Sequence, residues 1–260
     1  MEVIKFNLGG RFAFFKKPEV NSYLYFTYGN IHRVALLGIF GAILGYKGYN
    51  QMDFLKRYKK DFEEIKEKRE AEYPEFYSKL KSLKIAIIPD EVNIAKKVQV
   101  FNNSVGYASK EQGGNLIVKE QWLENPSWDI YVAVEDEEGK KLAKALLERN
   151  FTYIPYLGKN DHLADITKVT LIKDVAEVNE FNNIHSLFLK DDFQFVEYDE
   201  FDDLEDNDIN IFKYEEKLPV GLEEQTNKYE FKSFVFTNNT LQKANEVKTY
   251  RVEDKNITFI

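Results

Sequence analysis

FNLGGRFAFFKKPEVNSYLYFTYGNIHRVALLGIFGAILGY, residues Phe6–Tyr46, carries the most informative run of local patterns in the chain. Apolar and polar residues alternate up to Leu8, and the pattern breaks at Gly9-Gly10. It resumes as an aromatic segment ending in Lys16, Lys17 and Pro18, then passes through a polar, Tyr-rich connector into an apolar run with glycines at 38, 41 and 45. Alternation is the period of a half-buried strand, and the later run has the spacing and length of a helix. Glu2–Leu8 therefore reads as a strand and Ile31–Gly45 as a helix. Asn30 suits the N-cap, because its side-chain oxygen can accept from an orphan amide of the first turn. The three glycines fall on roughly one face, which predicts tight packing there. They lie inside the helix, and no G-x-x-x-x-G-K-[ST] occurs, so a phosphate-cradling P-loop is excluded.

Working outward, Asp53–Leu83 has the Lys, Glu, Phe and Tyr spacing of a charged amphipathic helix, interrupted near Pro74. Leu83–Pro89 is a short buried strand. Ala95–Asn102 and Asn115–Leu123 flank a polar, glycine-bearing tip and predict a long β-hairpin. Trp128–Glu135 alternates as a strand, Gly139–Asn150 is a compact amphipathic helix, and Asp165–Val178 is β-rich. The order predicts an α+β fold with a ferredoxin-like, RNA-recognition-like core carrying an inserted hairpin. From about residue 180 the pattern changes to short β-branched and aromatic segments separated by acidic or Asn-rich turns. This gives an expected division into a core at residues 1–178 and an acidic, β-rich C-terminal extension at 179–260.

The net charge of −8 is unevenly distributed. Residues 1–125 carry 20 Lys/Arg and 15 Asp/Glu, a net of +5, while residues 126–260 carry 16 and 29, a net of −13. A locally positive face can bind a polyanion while the far side of the molecule repels it. The acidic run from Asp191 to Asp208 lacks the D-x-[DN]-x-[DN]-G spacing of a calcium loop and reads as a solvated turn. The chain has no cysteine, which excludes disulfides and thiolate metal sites and suits a cytoplasmic location. No signal-peptide pattern opens the sequence, and the longest apolar run is too short for a bilayer. No membrane association, cofactor, metal or small-molecule substrate is expected.

Only three histidines are available for acid–base work, His32, His162 and His185. No H-E-x-x-H or G-x-S-x-G occurs, so zinc hydrolysis and serine-hydrolase chemistry have no support. The cations Arg11, Lys16, Lys17, Arg33, Lys96, Lys97 and Lys110 cluster at a strand end, a helix start and the hairpin. Phe12, Phe14, Tyr23, Tyr25 and Tyr107 interleave with them, and Asn102, Asn103 and Gln112 could read base edges. Cations for phosphates and aromatic rings for unpaired bases are the means by which single-stranded RNA is held.

Four stretches together resemble the CRISPR-associated Cas-five family, closest to its type I-B branch. They are F-x-L-G-G-R-F-A-F-F (Phe6–Phe15), G-I-F-G-A-I-L-G-Y (Gly38–Tyr46), L-I-V-K-E-Q-W-L-E-N-P-S-W-D-I-Y-V (Leu116–Val132) and Y-I-P-Y-L-G-K-N-D-H-L-A-D-I (Tyr153–Ile166). The resemblance implies a thumb hairpin over about residues 98–120, with Tyr107, Lys110, Gln112 and Gly113-Gly114 near its tip. It implies a subunit of a type I Cascade complex that binds the 5′ handle of crRNA and contacts the first backbone subunit and the large subunit. One branch of the family cuts the crRNA precursor with a Tyr/His/Lys group. No such group is placed by this sequence, so the expected role is non-catalytic. Two alternatives are a metal-independent crRNA endoribonuclease and a protein–protein scaffold acting through the acidic tail.

Overall fold

The computed structural model describes residues 1–19, 23–52, 73–103, 110, 112, 116–196 and 210–260. Up to residue 172 the elements are β1 (Val3–Gly9), β2 (Phe12–Ala13), α1 (Arg33–Leu44), α2 (Glu75–Leu80), β3 (Ile85–Pro89), β4 (Lys96–Asn103), β5 (Leu116–Glu124), β6 (Ser127–Ala133), α3 (Glu137–Glu148) and β7 (Asp165–Ile172). The amphipathic stretch expected from Asp53 lies outside the described residues as far as residue 72, and α2 is its described end.

Strands β3, β6, β1 and β7 form one antiparallel sheet in that order. With α1 and α3 as the two crossovers, this is the βαββαβ ferredoxin-like arrangement. Alternation along β1 sends Ile4, Phe6 and Leu8 into the main core, where all three are fully buried with Leu36, Leu37 and Phe40 of α1 and Leu142 and Leu146 of α3. β3 is buried along its whole length, which its unbroken apolar run requires.

The cap of α1 differs from the expectation. His32 is the N-cap, its Nδ1 accepting from the Ala35 amide at 3.2 Å. Asn30 lies too early for that role and is buried, accepting from the Trp128 indole at 2.9 Å. The three helix glycines also separate. A Cβ on Gly41 would lie 2.5 Å from the Cβ of Phe76, so α2 packs against backbone there. Gly45 closes the helix in the left-handed region at φ 78°. Gly38 has no atom within 4 Å of a Cβ position and faces a cleft instead of a packed neighbour.

The second face of the sheet is covered as well. β8 (Ala176–Val178), β14 (Thr249–Val252) and β15 (Lys255–Thr258) make a three-stranded sheet. Its Tyr250, Val252 and Ile257 pack on Val3, Ala86, Ile88 and Tyr131. β9 (Phe188–Leu189), β11 (Lys213–Leu222) and β12 (Tyr229–Thr237) form another sheet, and β10 (Phe193–Phe195) pairs with β13 (Leu241–Lys243). Leu187, Leu218, Leu222, Phe234 and Phe236 belong to the same buried cluster as Ile4 and Phe40. Arg33 joins these parts. Its guanidinium donates to the carbonyls of Leu83 at 3.1 Å, Val220 at 3.2 Å, Ile260 at 3.3 Å and also Lys81. Expected to face a polyanion, it instead ties the start of α1 to the C-terminal strands.

The hairpin is built as expected, β4 pairing with β5 from Lys96↔Leu123 to Asn103↔Leu116, and β2 pairing with the root of β5. A loop after α3 clamps it to the core. Glu120 on β5 is 8% exposed and accepts from the Trp122 indole at 2.7 Å and from Lys159 Nζ at 2.8 Å. Lys159 lies 4.9 Å from the centre of the Phe101 ring and 5.3 Å from that of Trp122. His162 meets the Trp122 ring edge-on at 4.5 Å, with Phe12 beside both. Removing one partner of a buried ion pair leaves the other charge desolvated and uncompensated, at about 3–5 kcal/mol. Glu120→Gln and Lys159→Met should therefore each lower the denaturation free energy strongly. The double variant should cost at least about 1 kcal/mol less than the sum, and additive costs would mean the pair contributes nothing.

Burial holds His32 neutral and pushes its pKa down to about 3, with Phe15, Tyr28 and Tyr229 around the ring. The unfolded chain, with histidine near ~6.5, then binds more protons than the fold, so stability is full above that value and falls as pH drops below it. His162 and His185 are lowered in the same direction, also by burial. His32→Asn, which keeps a capping acceptor, should flatten the loss of denaturation free energy between pH 6.5 and 5 by up to about 1.4 kcal/mol per pH unit. An unchanged slope would show that His32 is protonated in the folded chain.

Candidate nucleic-acid interface

Residues 14–19 and 23–28, between β2 and α1, form a strap that fixes the geometry of the basic surface. Lys16 bridges Thr27, the Lys17 amide donates to the Phe26 carbonyl at 2.8 Å, and the Tyr28 amide donates to the Phe15 carbonyl at 2.9 Å. The strap also joins the hairpin, Tyr25 N–H donating to the Lys119 carbonyl and the Gln121 amide to the Tyr25 carbonyl at 2.8 Å. Consecutive residues of an extended chain point to opposite sides, so Lys16 and Lys17 serve two different clefts.

Lys16 lines a cleft of about 910 Å³ with Lys159, Glu120, Tyr153, Tyr156, and Ala35 and Gly38 of α1. Lys17 lines a smaller cleft of about 360 Å³ with Glu19, Phe26, Thr27, Lys96 and Gln121. Lys16 Nζ sits 4.1 Å from the centre of the Tyr25 ring. Arg11 and Lys97 lie 5.3 and 5.8 Å from the centre of the Phe12 ring, at the root of the hairpin. Lys119 lies 4.0 Å from the centre of the exposed Tyr23 ring, and its hydrogen bond holds the Tyr23 hydroxyl pKa below the usual phenol range. Cation over ring is a favourable contact. It also keeps each ammonium at the surface beside a flat apolar face, the pair of groups a nucleotide requires.

The expected residues thus divide. Arg11, Phe12 and Lys97 come together at the hairpin root, Lys17 and Lys96 share the smaller cleft, and Lys16 takes the larger one. Lys17 is partly neutralised by Glu216 of β11 at 2.8 Å. Arg33 is not part of this surface. Asn102 and Asn103 lie toward the far end of β4, and Lys110 and Gln112 are exposed beyond it. Tyr107, Gly113 and Gly114 lie outside the described residues. Four residues absent from the sequence-based set belong here: Phe26, Lys119, Gln121 and Lys159. Strand alternation along β5 sets Lys119 and Gln121 on the exposed side of the hairpin, whereas the strap that brings Phe26 to them is a non-local pairing.

Of the three histidines, His32 and His162 are buried and His185 is half-buried. His185 Nδ1 accepts from the Asn256 amide at 3.0 Å. His162 is 4% exposed and neither ring nitrogen has a hydrogen-bond partner. Lys159 beside it is engaged by Glu120. Among the described residues no group of three or more His, Cys, Asp or Glu could hold a metal ion, and no helix is long and apolar enough to cross a membrane. Of the acidic run, Asp191 and Asp192 are described, the Asp192 carboxyl held above its usual range by burial, and residues 197–208 lie outside the described residues.

No family profile and no curated protein matches the sequence. Among solved structures, a CRISPR protein from Archaeoglobus fulgidus matches at 9% identity and a TM-score of 0.51, over 100% of this chain and 99% of that one. A chain described as a CRISPR RNA-guided surveillance complex matches at 12% identity and a TM-score of 0.49, over 93% and 91%. A chain of the type III-B Cmr-beta complex bound to cognate target RNA and AMPPnP matches at 10% and 0.44, over 94% and 86%. At those scores the last two carry no weight of their own. The Archaeoglobus protein shares this chain's fold from end to end.

Proposed function

We propose that this chain is a non-catalytic, crRNA-binding subunit of a CRISPR ribonucleoprotein. In its finer form the reading is a type I Cascade subunit, of the type I-B kind, that seats the 5′ handle and caps the backbone filament in antiviral defence. One observation carries the RNA-binding part. Arg11, Lys16, Lys96, Lys97 and Lys119 have no carboxylate partner among the described residues, and all but Lys96 lie over an aromatic ring on the strap and hairpin. The four motifs that resemble the Cas-five family support the finer reading, and the fold shared with a CRISPR protein supports the coarser, CRISPR-related one. The protein partners are then the first backbone subunit, reached by the hairpin, and the large subunit.

Exchange of Lys96, Lys97 and Lys110 for Glu should weaken binding of a single-stranded handle RNA more than tenfold. It should also flatten the slope of log affinity against log salt by about 0.7 for each phosphate that is no longer neutralised. The circular-dichroism spectrum should stay that of the wild type, because all three residues are exposed. Unchanged affinity and slope would remove this face from the site.

A second reading, metal-independent cleavage of crRNA precursor, draws on His162, whose ring nitrogens are unpartnered beside Lys159. Incubating the full chain with repeat RNA in EDTA separates the two. The binding reading expects intact RNA, and one discrete cut that His162→Ala abolishes would replace it.

A further inference from the structure

The smaller cleft is more than a gap between two lysines. Its walls are set by paired backbone: Lys17 against Phe26, Lys16 against Thr27, and Gln121 against Tyr25. These bonds hold the cleft's shape before anything enters it, so little ordering entropy is lost on binding. Of the side chains lining it, Lys17 pairs with Glu216 and the Thr27 hydroxyl accepts from the Phe15 amide, whereas Phe26, Gln121 and Lys96 keep their capacity for a ligand. Phe26 is 43% exposed and has no ring partner among the described residues. The Gln121 amide makes no side-chain hydrogen bond, and Lys96 has no carboxylate partner, among the described residues. An exposed phenyl ring, an idle amide and an idle ammonium around one cleft of about 360 Å³ form a coherent set. Neither a phosphate alone nor an apolar side chain would use all three.

From this juxtaposition we propose that the cleft is the seat of one unpaired nucleobase, a proposal that rests on the RNA-binding reading above. The base stacks on Phe26, because every base offers a π-face and an exposed ring gains by covering it. Gln121 meets the edge of the base, its amide supplying both a donor and an acceptor. Lys96 takes the adjoining phosphate, assisted by Lys17, whose charge is shared with Glu216. Glu19 also lines the cleft, and its carboxylate repels phosphate. The nucleotide is therefore oriented with its backbone toward Lys96.

The roles are separable by experiment. Binding of a fluorescein-labelled eight-nucleotide single-stranded RNA to the full chain would be followed across a KCl series for wild type, Phe26→Leu, Phe26→Tyr, Gln121→Leu and Lys96→Glu. Phe26→Leu should weaken binding about tenfold with the salt slope unchanged, because stacking is removed and no charge is altered. Phe26→Tyr should restore wild-type affinity. Gln121→Leu should weaken binding with the slope unchanged and reduce discrimination among oligoadenylate, oligocytidylate and oligouridylate. Lys96→Glu should flatten the slope. Photocrosslinking of an RNA carrying 5-iodouridine should label Phe26, and the label should vanish in Phe26→Leu. If wild type binds RNA in a salt-dependent way but Phe26→Leu binds equally well and no label falls on Phe26, the seat is overturned while the RNA-binding reading stands. If wild type shows no salt-dependent binding, that reading fails and the seat with it.

Discussion

Strands β3, β6 and β1 of the four-stranded sheet are covered on both faces while β7 stays largely exposed, and much of the molecule follows from that constraint. In a two-layer ferredoxin-like domain helices cover one face and the other is open to solvent, where an RNA-recognition domain displays its aromatic rings. Here Tyr250, Val252 and Ile257 close that face against Val3, Ala86, Ile88 and Tyr131. The sheet is thereby reduced to scaffold. Among the described residues, the strap before α1 and the hairpin of β4 and β5 are what the basic half adds to that scaffold.

That displacement also explains the division of charge. The C-terminal strands reach the basic half through Glu216 with Lys17, the Val220 and Ile260 carbonyls with Arg33, and Glu253 with Lys5. Each of these takes up some or all of a cation's charge. Among the described cations of residues 1–125 that are left without a carboxylate partner, most lie on the strap and hairpin: Lys16, Lys96, Lys97, Lys110 and Lys119. An overall acidic protein can in this way present one positive edge, because potential near a surface follows the local charges within about a Debye length.

Most of the fold is legible in the sequence because its signals are local. Period-two alternation identifies β1, β6 and the hairpin strands, and an unbroken apolar run identifies β3. The cap of α1 falls two residues later than residue type suggests, because Asn30 is a good cap by type, whereas its partner, Trp128, lies 98 residues away. Arg33 departs from its expected place for the same reason. A cation at a helix start reads as surface until the carbonyls of Val220 and Ile260 are brought to it. In the candidate site, Arg11, Phe12, Lys96 and Lys97 can be picked by residue type. The pairing of Tyr25 with Glu120, which makes a cleft from Phe26 and Gln121, depends on register between segments nearly a hundred residues apart, and a single sequence does not carry it.

In the three-stranded hairpin sheet the order is β2-β5-β4, which leaves β4 with one unpaired edge among the described residues. Val98 and Val100 on β4 and Ile117 on β5 are half exposed or more. An extended strand with free amides and apolar side chains accepts another strand, and natural proteins blunt such edges with charge or cover them. Lys96 and Lys97 guard only the root of β4. Toward its far end the isolated chain therefore has a route to concentration-dependent, edge-to-edge self-association. Its solubility will depend on how soon something else reaches that edge.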